Sequence, residues 1–390
     1  MSDPQGIHWP DYRGGSIVNL VASLAGGFGL ETGHPPFAGE LPLEGVERVL
    51  LLIIDGLGHL QLRRHLAEGD MPGLRAVLEH GAAYSVGTSV FPSTTMAAMT
   101  TYHTGRTPAE HGYLGFSVYL PERGCVANLI ATADLYGNPL PDPEFLIAVP
   151  SLYERLAALG VACCTVSPAE YQGSFLNRWY FRGCAYVPYH APSTLASLAP
   201  PTLQGPGPRY TVAYWPGYDT VCHRYGPQSP QAADEVAAVD GMFSRLLRKL
   251  PRDGKTLLVL SADHGQHELD AAQALYPQQD ARLMELLADA PAGEVRARYF
   301  RTERPQELTE HLEPLAQCLP SAEAWERGLF GGPPALESFH ARTGDLIAVP
   351  RGKQSFRWLW HPDAPPGPDG GSHGGWSAEE MLVPVIAVRV

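Results

Sequence analysis

"RVLLLIIDGLG", residues 48–58, decides the fold. Its six aliphatic residues from Val49 to Ile54 show no alternation, so the segment reads as a strand buried on both faces of a parallel sheet. The run ends abruptly at Asp55, before a glycine where the chain turns. Two other stretches repeat this design, "RYTVAYWPGYD" (209–219) and "KTLLVLSADHG" (255–265). Helical patterns lie between such runs: "PSLYERLAALG" (150–160) precedes "VACCTVSP" (161–168), and "QAADEVAAVDGMFSRLLRKL" (231–250) precedes the third strand. Strand and helix in alternation predict an α/β fold, a three-layer core with a mostly parallel sheet and helices on both faces.

Working outward, the rhythm breaks over 272–355. That stretch mixes the helix-like "DARLMELLADA" and "PQELTEHLEPLAQCL" with the alternating "VRARYFRT" and the apolar "DLIAVP". We read it as an inserted, smaller α+β subdomain, because "EMLVPVIAVRV" (380–390) returns to the style of the core. The catalytic core would then be 1–271 and 356–390, with an antiparallel flap inserted at about 116–147. The Gly/Pro-rich "APPGPDGGSHGG" (364–375) is short enough to be a loop.

At 390 residues, 44% apolar and 18% charged, the chain can bury a sizeable core. Its net charge of −13 comes from scattered acids, which argues against a nucleic-acid scaffold or an anionic membrane as partner. It does not exclude a small phosphorylated substrate, since bound cations invert the local field. The first residues lack the pattern of a secretory leader, and no aliphatic run approaches the roughly 20 residues that span a bilayer. Six cysteines without CxxC spacing fit reduced, mostly buried thiols, so a cytoplasmic setting is expected. Oligomeric state is not legible.

In open parallel sheets, ligands bind beyond the carboxyl ends of the strands. All three strong strands end there in metal-ligand residue types: Asp55; Asp219 with His223; and the adjacent Asp263 and His264. His373 sits in "GGSHGGW" just before the last strand. An aspartate after one strand more often caps a helix, but three strand ends behaving alike are harder to explain that way. Mixed carboxylate and imidazole donors suit two divalent cations, zinc or alternatively manganese, and the lack of cysteine argues against a closed structural zinc site. Two metals with open positions stabilise both attacking and leaving oxygens in phosphoryl displacement.

The pieces "LLIIDGLG", "FPSTTMAAMTTYHTGRTPAEHG", "YWPGYDTVCHRYGP", "VLSADHG" and "GGSHGGWSAEEMLVPVIA" together resemble the alkaline phosphatase superfamily, and within it the nucleotide pyrophosphatase/phosphodiesterase branch. The resemblance implies an alkaline-phosphatase-like fold and phosphoryl transfer through a covalent phospho-enzyme. It implies that Asp219, His223 and His373 hold one metal. Asp55, Asp263, His264 and the nucleophile oxygen hold the other. The family's nucleophile lies ten residues before the glycine of a "TG" pair, which selects Thr95 ahead of Gly105. Ser93 and Thr94 are then expected to cap the following helix.

The same resemblance makes Tyr214 a candidate to stack on a substrate base, beside the alternative of an interior strand aromatic. It also marks a departure. Where the branch carries "TFPNH", this chain has "TMAAM", so Met96 replaces a pocket phenylalanine and Ala98 an asparagine that donates to the phosphoryl group. The Met96 backbone N–H, Arg106, Arg178 and Asn177 are candidate replacement donors. His59, His103, His111, His267 and His361 read as partners behind the ligands or as surface groups. The expected activity is hydrolysis of a small phosphodiester, such as a nucleotide, through a phospho-threonine. The alternatives are a phosphomonoesterase or phosphonate hydrolase with the same metals, and a catalytically impaired metal/phosphate-binding protein.

Overall fold

A computed structural model describes residues 7–359 and 369–390; His361 and residues 364–368 of the Gly/Pro-rich segment lie outside them. The central sheet has seven strands, which we number in chain order: β1 (Arg48–Ile54), β2 (Ala83–Thr88), β3 (Ala162–Pro168), β4 (Cys184–Tyr189), β5 (Arg209–Trp215), β6 (Thr256–Ser261) and β7 (Leu382–Arg389). They lie in the order β2-β7-β6-β1-β5-β3-β4. The five strands from β6 to β4 are parallel, and β7 runs antiparallel to both β6 and β2.

β1 divides the core. Val49, Leu51 and Ile53 pack with the helices Ile17–Gly26 and Thr95–Thr104, whereas Leu50, Leu52 and Ile54 pack with the helix Pro230–Lys249. Alternation across the pleat therefore sends an unbroken aliphatic run into two separate cores, as a doubly covered sheet requires. The long helix has its own start signals, Ser229 accepting from the Ala232 N–H and Pro230 in the first turn. Among the described residues no helix is long and apolar enough to cross a membrane.

A second seven-stranded sheet joins the two irregular stretches. Its order is 316–320, 346–350, 298–300, 292–293, 117–120, 125–128, 133–134. Gly293 pairs with Ser117, whose hydroxyl also donates to the Gly293 carbonyl at 3.0 Å. Strands from 116–147 and 272–355, read from sequence as separate features, thus continue one another. The expected helix over 305–319 stops after Leu312, and Ala316–Pro320 pairs as a strand with Leu346–Pro350.

One buried ion pair ties this sheet to the core. Arg296 meets Glu380 through Nε–Oε1 at 3.3 Å and Nη2–Oε2 at 3.4 Å, while its Nη1 donates to the carbonyls of Pro350, Gly352 and Gln354. Burial disfavours the Glu380 carboxylate, but the guanidinium keeps it below the usual glutamate range. Glu380 also accepts from the N–H groups of Gly375 and Ser377. Removing one partner of such a pair strands a buried charge. Glu380→Ala should therefore cost about 3–5 kcal/mol, read as a lower urea midpoint at unchanged slope; an unchanged midpoint would refute this account.

Candidate active site

β1, β5 and β6 end level with one another: Ile54 pairs with Trp215, and Ile53 with Ser261. The residues that follow therefore converge on one edge of the sheet. Asp55 leaves β1 with its N–H bonded to the Trp215 carbonyl. Asp219 and His223 lie four apart on the helix Gly217–Tyr225, hence on one face, with His223 Nε2 3.3 Å from Asp219 Oδ2. Asp263 and His264 follow β6 after one intervening residue, Ala262.

His264 Nε2 occupies the middle. It lies 3.1 Å from Thr95 Oγ1, 3.3 Å from Asp263 Oδ2 and 3.5 Å from Asp55 Oδ1. Its ring stacks on that of His373 at 3.7 Å, and His373 Nε2 is 3.5 Å from Asp219 Oδ1. All seven residues singled out from the sequence for the metals and the nucleophile are thus neighbours. Two groups bring ligand atoms close enough for a cation: Asp55, Asp263 and His264; and Asp219, His264 and His373. His223 joins the second group through Asp219, and its other nitrogen, Nδ1, faces the Gly371 carbonyl at 2.9 Å.

The donor set fits cations. Asp55 Oδ1 and Asp263 Oδ2 are buried without a hydrogen-bond partner, which is costly for a carboxylate unless a positive charge faces it. Burial, followed by the charges of Asp263 and Asp219, raises Asp55 well above the usual carboxylate range; burial also raises Asp263. At Asp219 burial works the same way but the facing imidazole of His223 outweighs it, and the carboxylate is held down. Burial lowers His223, yet Asp219 lifts it to about 9. His373 is depressed by burial and by His264.

Other groups fix these ligands. The Tyr214 hydroxyl donates to Asp55 Oδ2, so this side chain grips a carboxylate as well as lining a cavity. Gln266 Nε2 donates to Asp219 Oδ1, and the Gly56 N–H to Asp263 Oδ1 at 3.1 Å. His373 Nδ1 faces the Ser93 carbonyl at 3.1 Å. Gly374, at φ 113°, could not carry a side chain: a Cβ there would come within 2.6 Å of Glu294.

Thr95 opens the helix Thr95–Thr104, which ends at Gly105 in the left-handed region, φ 67°. The expected hydroxyl caps are absent. Thr94 holds the N-cap position without a side-chain cap bond, and Ser93 Oγ donates instead to the Gly375 carbonyl at 2.7 Å, tying down the loop that carries His373. Ala98 is buried in the core. It does not line the cavity that opens beside Thr95.

Beside Thr95 a cavity of about 310 Å³ is lined by Asp55, Met96, Tyr214 and Asp219, and by Met99, His103, Tyr171, Asn177, Tyr180 and Phe181, which the sequence reading had not assigned to a pocket wall apart from Asn177 as a donor. Met99 and His103 were findable, since they stand four and eight residues after Thr95 and so share its helix face. Tyr171, Tyr180 and Phe181 carry no such signal. Asn177 lines the cavity, its Nδ2 donating to the Tyr171 carbonyl. Arg106 pairs with Glu110 at 2.9 Å, and neither it nor Arg178 lines the cavity. His103 is buried, not a surface group; His59 contacts Tyr84, His111 contacts Thr101, and His267 contacts the Gly352 carbonyl.

A family model described as type I phosphodiesterase / nucleotide pyrophosphatase matches residues 49–376. The catalytic subunit of GPI ethanolamine phosphate transferase 3 from Mus musculus is 32% identical over 85 residues, 20% of this chain but only 8% of that protein's length. Two solved structures are similar in fold. Murine ectonucleotide pyrophosphatase / phosphodiesterase 5, an inactive form in complex with AMP, superposes with a TM-score of 0.66 at 16% identity over 87% of each chain. Phosphonoacetate hydrolase from Sinorhizobium meliloti 1021, with phosphonoformate, gives 0.65 at 19% identity over 89% of this chain and 90% of that one. The match over 49–376, which includes the Thr95 segment and the His373 loop, places the chain in the type I phosphodiesterase / nucleotide pyrophosphatase family of the alkaline phosphatase superfamily.

Proposed function

We propose that the protein hydrolyses a small phosphodiester, of nucleotide type, with Thr95 as nucleophile and two divalent cations, zinc or alternatively manganese, as cofactors. Asp55, Asp263, His264 and Thr95 Oγ1 would hold one cation, and Asp219, His223 and His373 the other. Bound there, the cations supply Lewis acidity, which lowers the pKa of the Thr95 hydroxyl and neutralises charge on the phosphoryl oxygens. The helix N-terminus at Thr95 favours the same anion through its free N–H groups and dipole. Attack by Thr95 Oγ1 forms a Thr–O–P bond while the bond from phosphorus to the departing alkoxide breaks. Water then cleaves the Thr–O–P bond, which restores the hydroxyl and releases a phosphomonoester.

The composition of the cavity wall carries the choice of a diester. Among the described residues neither Lys nor Arg lines it, and Met, Tyr, Phe, Leu and Ile side chains share its wall with uncharged Thr, Ser and Asn. Burial lowers its one histidine, His103, to about 3, so the ring is neutral. A phosphomonoester, or a phosphonate with a further carboxylate, brings a second negative charge that this wall leaves unpaired. A diester brings one negative charge and an apolar or aromatic ester group for the wall. A cytoplasmic setting is supported by six free cysteines.

The metal-loaded protein should turn over bis-p-nitrophenyl phosphate faster than p-nitrophenyl phosphate or phosphonoacetate; faster monoester or phosphonate cleavage would sink the diester choice. Thr95→Ala should lower kcat on the order of 10³-fold or more, and Thr95→Ser should keep most of the activity; an active alanine variant would remove Thr95 as nucleophile. Chelation should lower the melting temperature, since at 100-fold excess over Kd each cation adds about 2.7 kcal/mol of stability. A melting curve indifferent to chelator would speak against bound cations.

A further inference from the structure

The cavity runs on from Thr95 along one face of the nucleophile helix. Thr95, Met96, Met99, Thr100 and His103 all line it. At about 100° per residue these positions fall within an arc of about 140°, while Ala97, Ala98 and Tyr102, around the helix, sit in the core. At 1.5 Å of rise per residue, His103 lies about 12 Å along the axis from Thr95. Tyr171, Tyr180, Phe181 and Tyr214 line the cavity from other elements, beside the uncharged polar Ser167, Ser174, Asn177 and Thr220, so the wall is rich in aromatic side chains and carries no cation among the described residues.

His103 is the last residue of this helix to line the cavity. Its Nδ1 is 2.7 Å from the Tyr153 hydroxyl, and its ring stands edge-on to Phe181 with 4.9 Å between centroids. Tyr153 is fully buried, and burial pushes its hydroxyl well above the usual phenol range. The phenol therefore keeps its proton and presents it to His103 Nδ1. A neutral imidazole that accepts at Nδ1 carries its own proton on Nε2. Among the described residues only Tyr153 hydrogen-bonds this imidazole, which leaves the Nε2–H free on a side chain that lines the cavity.

We propose that His103 Nε2–H is a specificity-determining donor at the deep end of the cavity, reading an acceptor on a planar aromatic ester group of nucleobase size about 10 Å from the phosphorus. The inference rests on the diester reading above and sharpens it, since it names the part of the substrate that the aromatic wall receives. Tyr153 acts through His103 as a positioning residue that fixes the tautomer. An ester group lacking an acceptor leaves the Nε2–H unpaired in an apolar site, which discriminates more strongly than lost contact area.

Thymidine 5′-p-nitrophenyl phosphate and methyl p-nitrophenyl phosphate share a leaving group and differ in the group to be read. In His103→Leu the ratio of their kcat/KM values should fall about 5- to 100-fold, mainly through KM for the thymidine ester. His103→Gln, which keeps a donor, should recover part of the ratio, and Tyr153→Phe, which frees the tautomer, should lie between Leu and wild type. Equal losses on both esters in all three variants would assign His103 a structural role and overturn the proposal. If the wild type cleaved neither ester, the diester reading would fall and binding would decide this one. Zinc-loaded Thr95→Ala should then bind thymidine 5′-monophosphate more tightly than Thr95→Ala/His103→Leu by calorimetry, and equal affinities would refute the donor.

Discussion

Three carboxylates held together at the end of a parallel sheet set the terms for this structure. Asp55, Asp219 and Asp263 are close enough to raise one another's cost of ionisation, and two of their buried oxygens have no hydrogen-bond partner. A fold gains nothing from that arrangement alone, because packed apolar groups in the same volume would be at least as stable. Divalent charge would resolve it. The strands deliver the three acids at one level because β1 pairs in register with both β5 and β6. Three of the four remaining oxygens accept from neutral donors, Tyr214, Gln266 and the Gly56 N–H, which fix orientation without spending negative charge, and the fourth, Asp219 Oδ2, faces His223.

The remaining imidazole of the cluster arrives on a loop, and the second sheet restrains that loop. His373 is held at Nδ1 by the Ser93 carbonyl, and the residues after it by Ser93 Oγ and Glu380. Glu380 in turn faces Arg296, whose third nitrogen collects three carbonyls from 350–354. One chain of contacts thus runs from the second sheet through a buried ion pair to a candidate metal ligand. The second sheet is therefore part of the support of the site.

The core strands and five of the seven clustered residues were legible because each signal is local: an unbroken aliphatic run, then an acid or imidazole within a few residues of its end; Thr95 and the role of His373 came from the family resemblance. The joining of 117–134 to 292–350 in one sheet was not, since register between strands so far apart in sequence leaves no trace in either segment alone. The Ser93 and Thr94 hydroxyls misled for a related reason. A run of hydroxyls before a helix is a good capping signal, but here a loop some 280 residues away competes for Ser93 and wins. Tyr171 and Phe181 reach the cavity through a turn and a short helix whose sequence shows only that they are aromatic.

The helix Thr95–Thr104 explains why "TMAAM" can depart from "TFPNH" without dismantling the site. Thr95, Met96, Met99, Thr100 and His103 of this helix line the cavity, and Ala97, Ala98 and Tyr102 sit in the core. A helix packed that closely needs small residues on its inner face, and Ala98 meets the need with no polar atom to satisfy. An asparagine there would bury an amide among Val90, Ile53 and their neighbours in the same core, at a cost of about 1–3 kcal/mol if it found no partner. The two ends of the segment obey different constraints. Thr95 answers to the carboxylates and imidazoles around it, Ala98 answers to packing, and Met96, Met99 and His103 line the cavity.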